Sequence, residues 1–236
     1  MIEEKSKFEM SPSEFQQMFM HRYNYPTERY GICFNFETSG RYRQAVNGTG
    51  ATITFDTGPL TLETGTTTTG NALVKMDAWD VDWSYDVYDR YPMIHTAISI
   101  IDHTAAQTAD SYIVFGLVDP ATPSYVKKHF GFKIAGSNAS KLYATSSDGT
   151  TQKTTDITPV GWDETEHTTL RAILIPKKGI SFWVNGAFAT QHFSNFPSGE
   201  LELGTNPIAS VSMRATAGEA TKYLLVGPTT VSYYDF

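Results

Sequence analysis

A chain of 236 residues that is 40% hydrophobic and only 18% charged can bury a sizeable core and is too apolar to stay disordered. Its formal charge of −7 is spread along the sequence, and its only paired lysines are Lys127 with Lys128 and Lys177 with Lys178, which argues against nucleic acid as a partner. Cys33 stands alone, so an intramolecular disulfide and a thiolate zinc site are both excluded, and no run approaches the roughly 20 apolar residues of a membrane helix.

The N-terminus, Met1-Ile2-Glu3-Glu4-Lys5-Ser6-Lys7, lacks the basic start and apolar run of a secretory leader. This predicts synthesis in the cytoplasm as a soluble protein without membrane insertion. Ser11-Pro12-Ser13-Glu14 then offers an N-cap with proline in the first turn, and Phe15, Met18, Phe19 and Arg22 follow at helical spacing. A short helical segment is expected over 1–25, its apolar stripe packing on the rest of the chain or docking on a partner.

From Tyr30 onward the pattern becomes short β-branched and aromatic runs separated by Gly, Asn, Asp and Pro, the mark of an all-β domain over 26–236. Strands are predicted at 30–36, 51–55, 72–76, 79–88, 93–101 and 111–117. The threonine-rich tract at 64–70 reads as an exposed edge or loop. Phe130, Phe132 and Ile134 alternate with polar neighbours and predict a strand buried on one side. Asp148-Gly149 predicts a hairpin between 142–145 and 150–152. The clearest signal is 170–190, where Pro176-Lys177-Lys178-Gly179 and Asn185-Gly186 divide three apolar runs. Asn-Gly tolerates the positive φ of a tight hairpin turn, so three antiparallel strands are expected. Asn47-Gly48-Thr49 and Asn138-Ala139-Ser140 match the glycosylation triplet and are read as turns. Turns at this spacing imply a two-sheet antiparallel sandwich.

The run Gly179-Ile180-Ser181-Phe182-Trp183-Val184-Asn185-Gly186-Ala187, preceded by Leu170-Arg171-Ala172-Ile173, resembles the hairpin of concanavalin A-like lectin, glucanase and laminin-G-like jelly rolls. Phe130-Gly131-Phe132, Leu142-Tyr143-Ala144, Thr154-Thr155-Asp156-Ile157 and Trp162 resemble the same arrangement as it occurs in phage and virus particle proteins. Leu62-Glu63-Thr64-Gly65 resembles an element near the front of those modules. The resemblance covers 50–230 and implies a jelly-roll fold; it does not by itself carry an activity.

Glycoside hydrolases of that family set acids along one strand as E-x-D-x-E. The nearest approach here is Asp80, Asp82 and Asp86 within 79–88, where Ser84 or Tyr85 falls on the third acidic position, so no catalytic residue is assigned. The same three aspartates alternate with Trp79, Val81, Trp83 and Tyr85 as a solvent face should, and they are the candidate ligands for calcium, the one cofactor considered. The six histidines are scattered and lie in no metalloprotease or nucleophile-elbow context. Tyr88, Tyr91, Tyr125 and Trp162 occupy polar, loop-like contexts, and sugars stack on such rings, so these are the candidate ligand-binding residues.

The leading expectation is a non-enzymatic structural or adhesion protein at a virion surface, a capsid decoration or tail-associated sandwich that self-associates or contacts other particle proteins. The alternative is a carbohydrate-binding lectin-like module. A glycoside hydrolase or polysaccharide lyase on the same fold ranks last.

Overall fold

The structure, a computed structural model, describes residues 29–34, 36, 42–55, 59–65, 70–76, 87–101, 108–116, 127–135, 141–163, 165–200, 209–217 and 223–234. The predicted N-terminal helix and the acidic run at Asp80, Asp82 and Asp86 lie outside these residues.

Among the described residues the chain is all-β, with two antiparallel sheets packed as a sandwich. The strands are β1 (Arg29–Phe34), β2 (Tyr42–Asn47), β3 (Ala51–Thr54), β4 (Leu60–Thr64), β5 (Asn71–Met76), β6 (Met93–Ile101), β7 (Thr108–Gly116) and β8 (His129–Ala135). They continue as β9 (Lys141–Ser147), β10 (Gln152–Asp156), β11 (Thr168–Ile175), β12 (Gly179–Val184), β13 (Ala187–His192), β14 (Ala209–Ala217), β15 (Tyr223–Val226) and β16 (Thr229–Tyr234). One sheet has seven strands in the order β10-β9-β8-β7-β14-β5-β2. The other has nine, in the order β13-β12-β11-β6-β15-β4-β3, with β16 paired to the first residues of β6 and carrying β1 on its far side.

Period-two alternation explains which residues face inward. β4 buries Leu60, Leu62 and Thr64, and β11 buries Leu170, Ala172 and Leu174, while their neighbours in sequence face the other way. From the facing sheet, β8 contributes Phe130, Phe132 and Ile134. Aromatic rings pack the interior: Phe132 meets Phe182 of β12 across the two layers, edge-on with centroids 5.8 Å apart, and within the seven-stranded sheet Phe115 of β7 stacks on Phe130 of β8 at 5.2 Å. Such pairs add about 0.5–1.5 kcal/mol each beyond the area they bury. A smaller cluster of Ile173, Trp183 and Met93 lies on the outer face of the nine-stranded sheet, where the Arg171 guanidinium sits 4.9 Å from the Trp183 ring centre.

Three expectations need correction. β8 is not buried on one side only, because His129 and Gly131 on its second face are also buried. Thr64 and Gly65, read as part of an exposed tract, are buried where β4 ends against the turn that leads into β3. The last residues of the strand predicted at 79–88 instead enter a single 3-10 turn, Val87–Asp89, whose Val87 and Tyr88 are buried.

Candidate functional site

Strand polarity gathers several loops at one end of the sandwich. β8 starts there, β9 ends there, β11 turns into β12 there, and β13 runs out there. The sheets are tied together at this end by His192, the last residue of β13, which is fully buried. Its Nδ1 lies 2.8 Å from Ser146 Oγ of β9 and its Nε2 lies 3.0 Å from Thr155 Oγ1 of β10. Burial above all, and then the Lys153 ammonium, pushes the imidazole down from its ordinary 6.5 to about 4.

Beyond His192 the segment 193–200 crosses the end as an irregular strap. The backbone of Gly179, at the start of β12, passes so close that an added Cβ would overlap the His192 carbonyl oxygen and lie 3.4 Å from Phe193 Cα. Gly179 also has φ +131°, so only glycine fits this contact. Further along, Asn195 adopts φ +55°, and Phe196 packs onto the core. The Gly199 carbonyl accepts from the backbone N–H of Tyr88 at 3.3 Å. The Lys128 amine donates to the carbonyls of Ser198 at 2.9 Å and Glu200 at 3.2 Å. Five attachments therefore hold a segment that has no regular structure of its own. Phe193, despite this bracing, is 62% exposed.

The lysine pair at 127–128 is positioned from beneath. The Tyr88 hydroxyl donates to the Lys128 carbonyl at 2.9 Å, and the His129 ring lies with Nδ1 2.8 Å from the Lys127 carbonyl. A carbonyl can only accept, so Nδ1 carries a proton. Thr145 completes the set, 3.3 Å from His129 Nε2 while accepting from Gln152 Nε2 at 2.9 Å. Gly116 lets this packing close, since a Cβ on it would overlap both the Lys128 carbonyl and the Tyr88 hydroxyl.

The second lysine pair reaches the same end by the β11–β12 turn. Lys177 takes φ +61°, the Lys178 N–H donates to the Ile175 carbonyl at 3.0 Å, and both side chains are exposed. Among the described residues the loops here carry Arg90, Lys127, Lys128, Lys177 and Lys178 together with Asp89, Asp148 and Glu200. The Asp148 carboxylate is turned into its own hairpin: it accepts from the Thr150 hydroxyl and from the N–H groups of Thr150 and Thr151, which hold it below the usual carboxylate range. At the opposite end lie Asp156, Asp163 and Glu166 with Lys141, whose amine pairs with Asp156 at 2.9 Å.

The residues picked out from sequence separate on this frame. Tyr88 belongs to the lysine-bearing end but is 1% exposed, its ring edge-on to Phe115 at 5.8 Å. It supports the loops and offers no face to a ligand, which corrects the loop-surface reading. Tyr91 follows at the same end, half-buried with φ +53°. Trp162 lies at the far end, half-buried, its indole N–H donating to Thr168 Oγ1 at 3.2 Å. Tyr125 lies outside the described residues. Among the described residues no group of three or more His, Cys, Asp or Glu side chains is placed to hold a metal. Phe193 and Asn195 were not singled out from sequence. Nothing in Phe-Ser-Asn-Phe-Pro distinguishes an exposed ring from a buried one, and the bracing partners lie far away in the chain.

No family model matches the sequence, and no curated protein does. Solved structures do match in fold. A protein of unknown function from Shewanella oneidensis MR-1 superposes with a TM-score of 0.58 at 9% identity, covering 95% of each chain. An endo-acting O-glycanase of the human gut microbiota that initiates mucin breakdown gives 0.55 at 9% identity, over 86% of this chain and 99% of that one. The binding domain of botulinum neurotoxin serotype G gives 0.50 at 11% identity, over 82% of this chain, which spans only 44% of the toxin domain. At these identities the likeness is one of architecture: the chain shares with these proteins a sandwich of two antiparallel β-sheets.

Proposed function

We propose that this protein is a carbohydrate-binding sandwich module that acts without catalysis, and that its ligand sits on the end built around the 193–200 strap. The observation that carries the reading is Phe193, an exposed ring on a segment fixed by its neighbours. Exposing an aromatic face costs hydrophobic free energy, and fixing an irregular loop costs conformational entropy. Both outlays are offset if a sugar ring stacks on that face, because a preorganised platform loses little further freedom on binding. Lysine amines, the Asn195 amide and loop carbonyls supply the polar partners that hydroxyl groups need. A glycan-binding domain also suits a fold shared with a toxin binding domain and a glycanase. A virion-surface role, the leading expectation from sequence, draws no support from these neighbours.

A glycan array probed with the wild-type chain and with Phe193→Ala tests this. Saturable binding that weakens roughly fivefold in the variant is expected, from about 1 kcal/mol of lost stacking. The fold should be unaffected, since the ring is largely in solvent. An array without hits, or hits indifferent to the substitution, would remove the proposal.

A further inference from the structure

We propose that residues 1–28 form a third layer over the outer face of the nine-stranded sheet, bedding the apolar stripe of Phe15, Met18 and Phe19 on Ile173 and Trp183 and closing that face to other partners. The observation behind this is burial where a two-layer sandwich should be open to water. One row of residues crosses the outer face over four strands: Ser181 of β12, Ile173 of β11, Met93 of β6 and Ser232 of β16, with Gly31 of β1 next in line. Ser181 is 2% exposed, and Ile173 and Ser232 are 3% exposed. Neighbours within a sheet cannot shade side chains as short as serine. Ser232 stands between Gly31, which has no side chain, and Met93, which is itself only half-buried. In the adjacent row Trp183 is also buried, whereas its partner Phe188 on β13 is 47% exposed and marks the rim of the covered strip.

Because this burial belongs to one chain by itself, the cover has to come from that chain's own remaining residues, and connectivity selects among them. Segments 77–86, 117–126 and 201–208 leave or enter β5, β7 and β14, all strands of the seven-stranded sheet. Segments 102–107 and 218–222 begin where β6 and β14 finish, at the end of the sheet roughly 26 Å along β6 from Met93. Segment 1–28 is longer than any of these and runs straight into Arg29, two residues before Gly31 in the covered row. From Gly31 to Ile173 is three strand spacings, roughly 14 Å. Residues 23–28 can span about 20 Å when extended, so 15–22 reach the strip. The spacing of Phe15, Met18, Phe19 and Arg22 gathers them on one face of a helix over about 11 Å, most of the strip's width. An apolar stripe and an apolar sheet face each need cover, and here each supplies it to the other.

The test is hydroxyl-radical footprinting of the full chain, read by mass spectrometry, together with photo-crosslinking. In the double variant Phe15→Ser and Phe19→Ser, labelling of Trp183 and Met93 should rise several-fold over wild type, while Met213 in the core stays protected. The thermal midpoint should fall by several degrees. Separately, p-benzoylphenylalanine in place of Phe19 should cross-link on irradiation to the peptide that carries Ile173 or the one that carries Trp183, within the same chain. That chain keeps Phe15, Met18 and an aromatic ring at position 19, so the cross-link decides the matter even where the double variant unfolds. Cross-links to strands of the seven-stranded sheet, or to a second chain, overturn the proposal. Labelling of Trp183 that is the same in the double variant and in wild type overturns it as well.

Discussion

At His192 the fold has exchanged the hydration of an imidazole for a bridge between its two sheets. The neutral ring suits that place, since one nitrogen can donate to and the other accept from the hydroxyls of Ser146 and Thr155. A protonated ring would carry an unpaired charge into the sandwich beside Lys153. With a folded value of about 4 against 6.5 in the unfolded chain, the unfolded state binds more protons between those limits. Stability is then complete above pH 6.5, falls as pH drops towards 4, and levels off below, a total loss of about 3 kcal/mol. Asp156 acts in a separate window. The Thr158 hydroxyl first, then Lys141, hold it at about 2, so its contribution is present above 3.8 and disappears as pH falls through 2. Denaturant unfolding across pH 7 to 4 should show the first step in wild type and a clearly shallower profile in His192→Gln, which keeps a hydroxyl contact without taking up a proton; His95, held below its ordinary value by burial and then by Arg171, accounts for a remaining slope. Equal slopes in the two proteins would mean that the buried ring is not what senses acid. Little of this is legible beforehand, because an imidazole at the end of an alternating run reads the same whether water or two distant hydroxyls surround it.

Among the elements, the β9–β10 ribbon and its exit are punctuated three times by one device. In Asp148 with Thr150, Asp156 with Thr158 and Asp163 with Thr165, a single carboxylate oxygen accepts both the N–H and the hydroxyl of the threonine two residues on. The side chain thereby takes over the hydrogen bonds that a strand ladder would have supplied. Asp156→Ala should cost about 1 kcal/mol in chemical denaturation, whereas Asp156→Asn, which retains the acceptor oxygen, should cost clearly less. Identical losses would assign the effect to the Lys141 pairing instead. Elements were legible in sequence wherever local chemistry decides them. Asn185-Gly186 gave its hairpin and 93–101 its full strand, since turn residues and alternation are properties of neighbours. β14 shows the opposite case. Ala209, Val211 and Met213 alternate with Ser210 and Ser212, which reads as a half-exposed ribbon, yet the serines are as buried as the apolar residues because β14 lies inside the seven-stranded sheet. Position within a sheet is fixed by partners remote in the chain, and small hydroxyl residues give no hint of it.

At the scale of the molecule, among the described residues the two lysine pairs lie at one end of the sandwich and Asp156, Asp163 and Glu166 at the other. The sequence shows both sets of residues, but only strand polarity puts 127–128 and 177–178 on the same side. A ligand bound at the lysine end would touch loops rooted in both sheets and should stabilise the whole cooperative unit. At about 100 times its dissociation constant, a bound glycan is expected to add about 2.7 kcal/mol to the unfolding free energy, visible as a rise in thermal midpoint that Phe193→Ala reduces. No shift in the midpoint under saturating sugar would place the ligand elsewhere.

The pairing of β1 with β16 bears on how the protein is made. Arg29 lies opposite Tyr234, and Phe34 opposite Thr229, so the first described strand of the nine-stranded sheet has its partner about 200 residues later. In the seven-stranded sheet, β5 and β7 are likewise held apart until β14 slides between them. Neither layer can close before β14 and β16 have left the ribosome, so until then the emerging chain carries two incomplete sheets with open edges. Folding is then completed only once β14 and β16 have emerged, in one late step that joins β1 to β16 and seats β14 between β5 and β7.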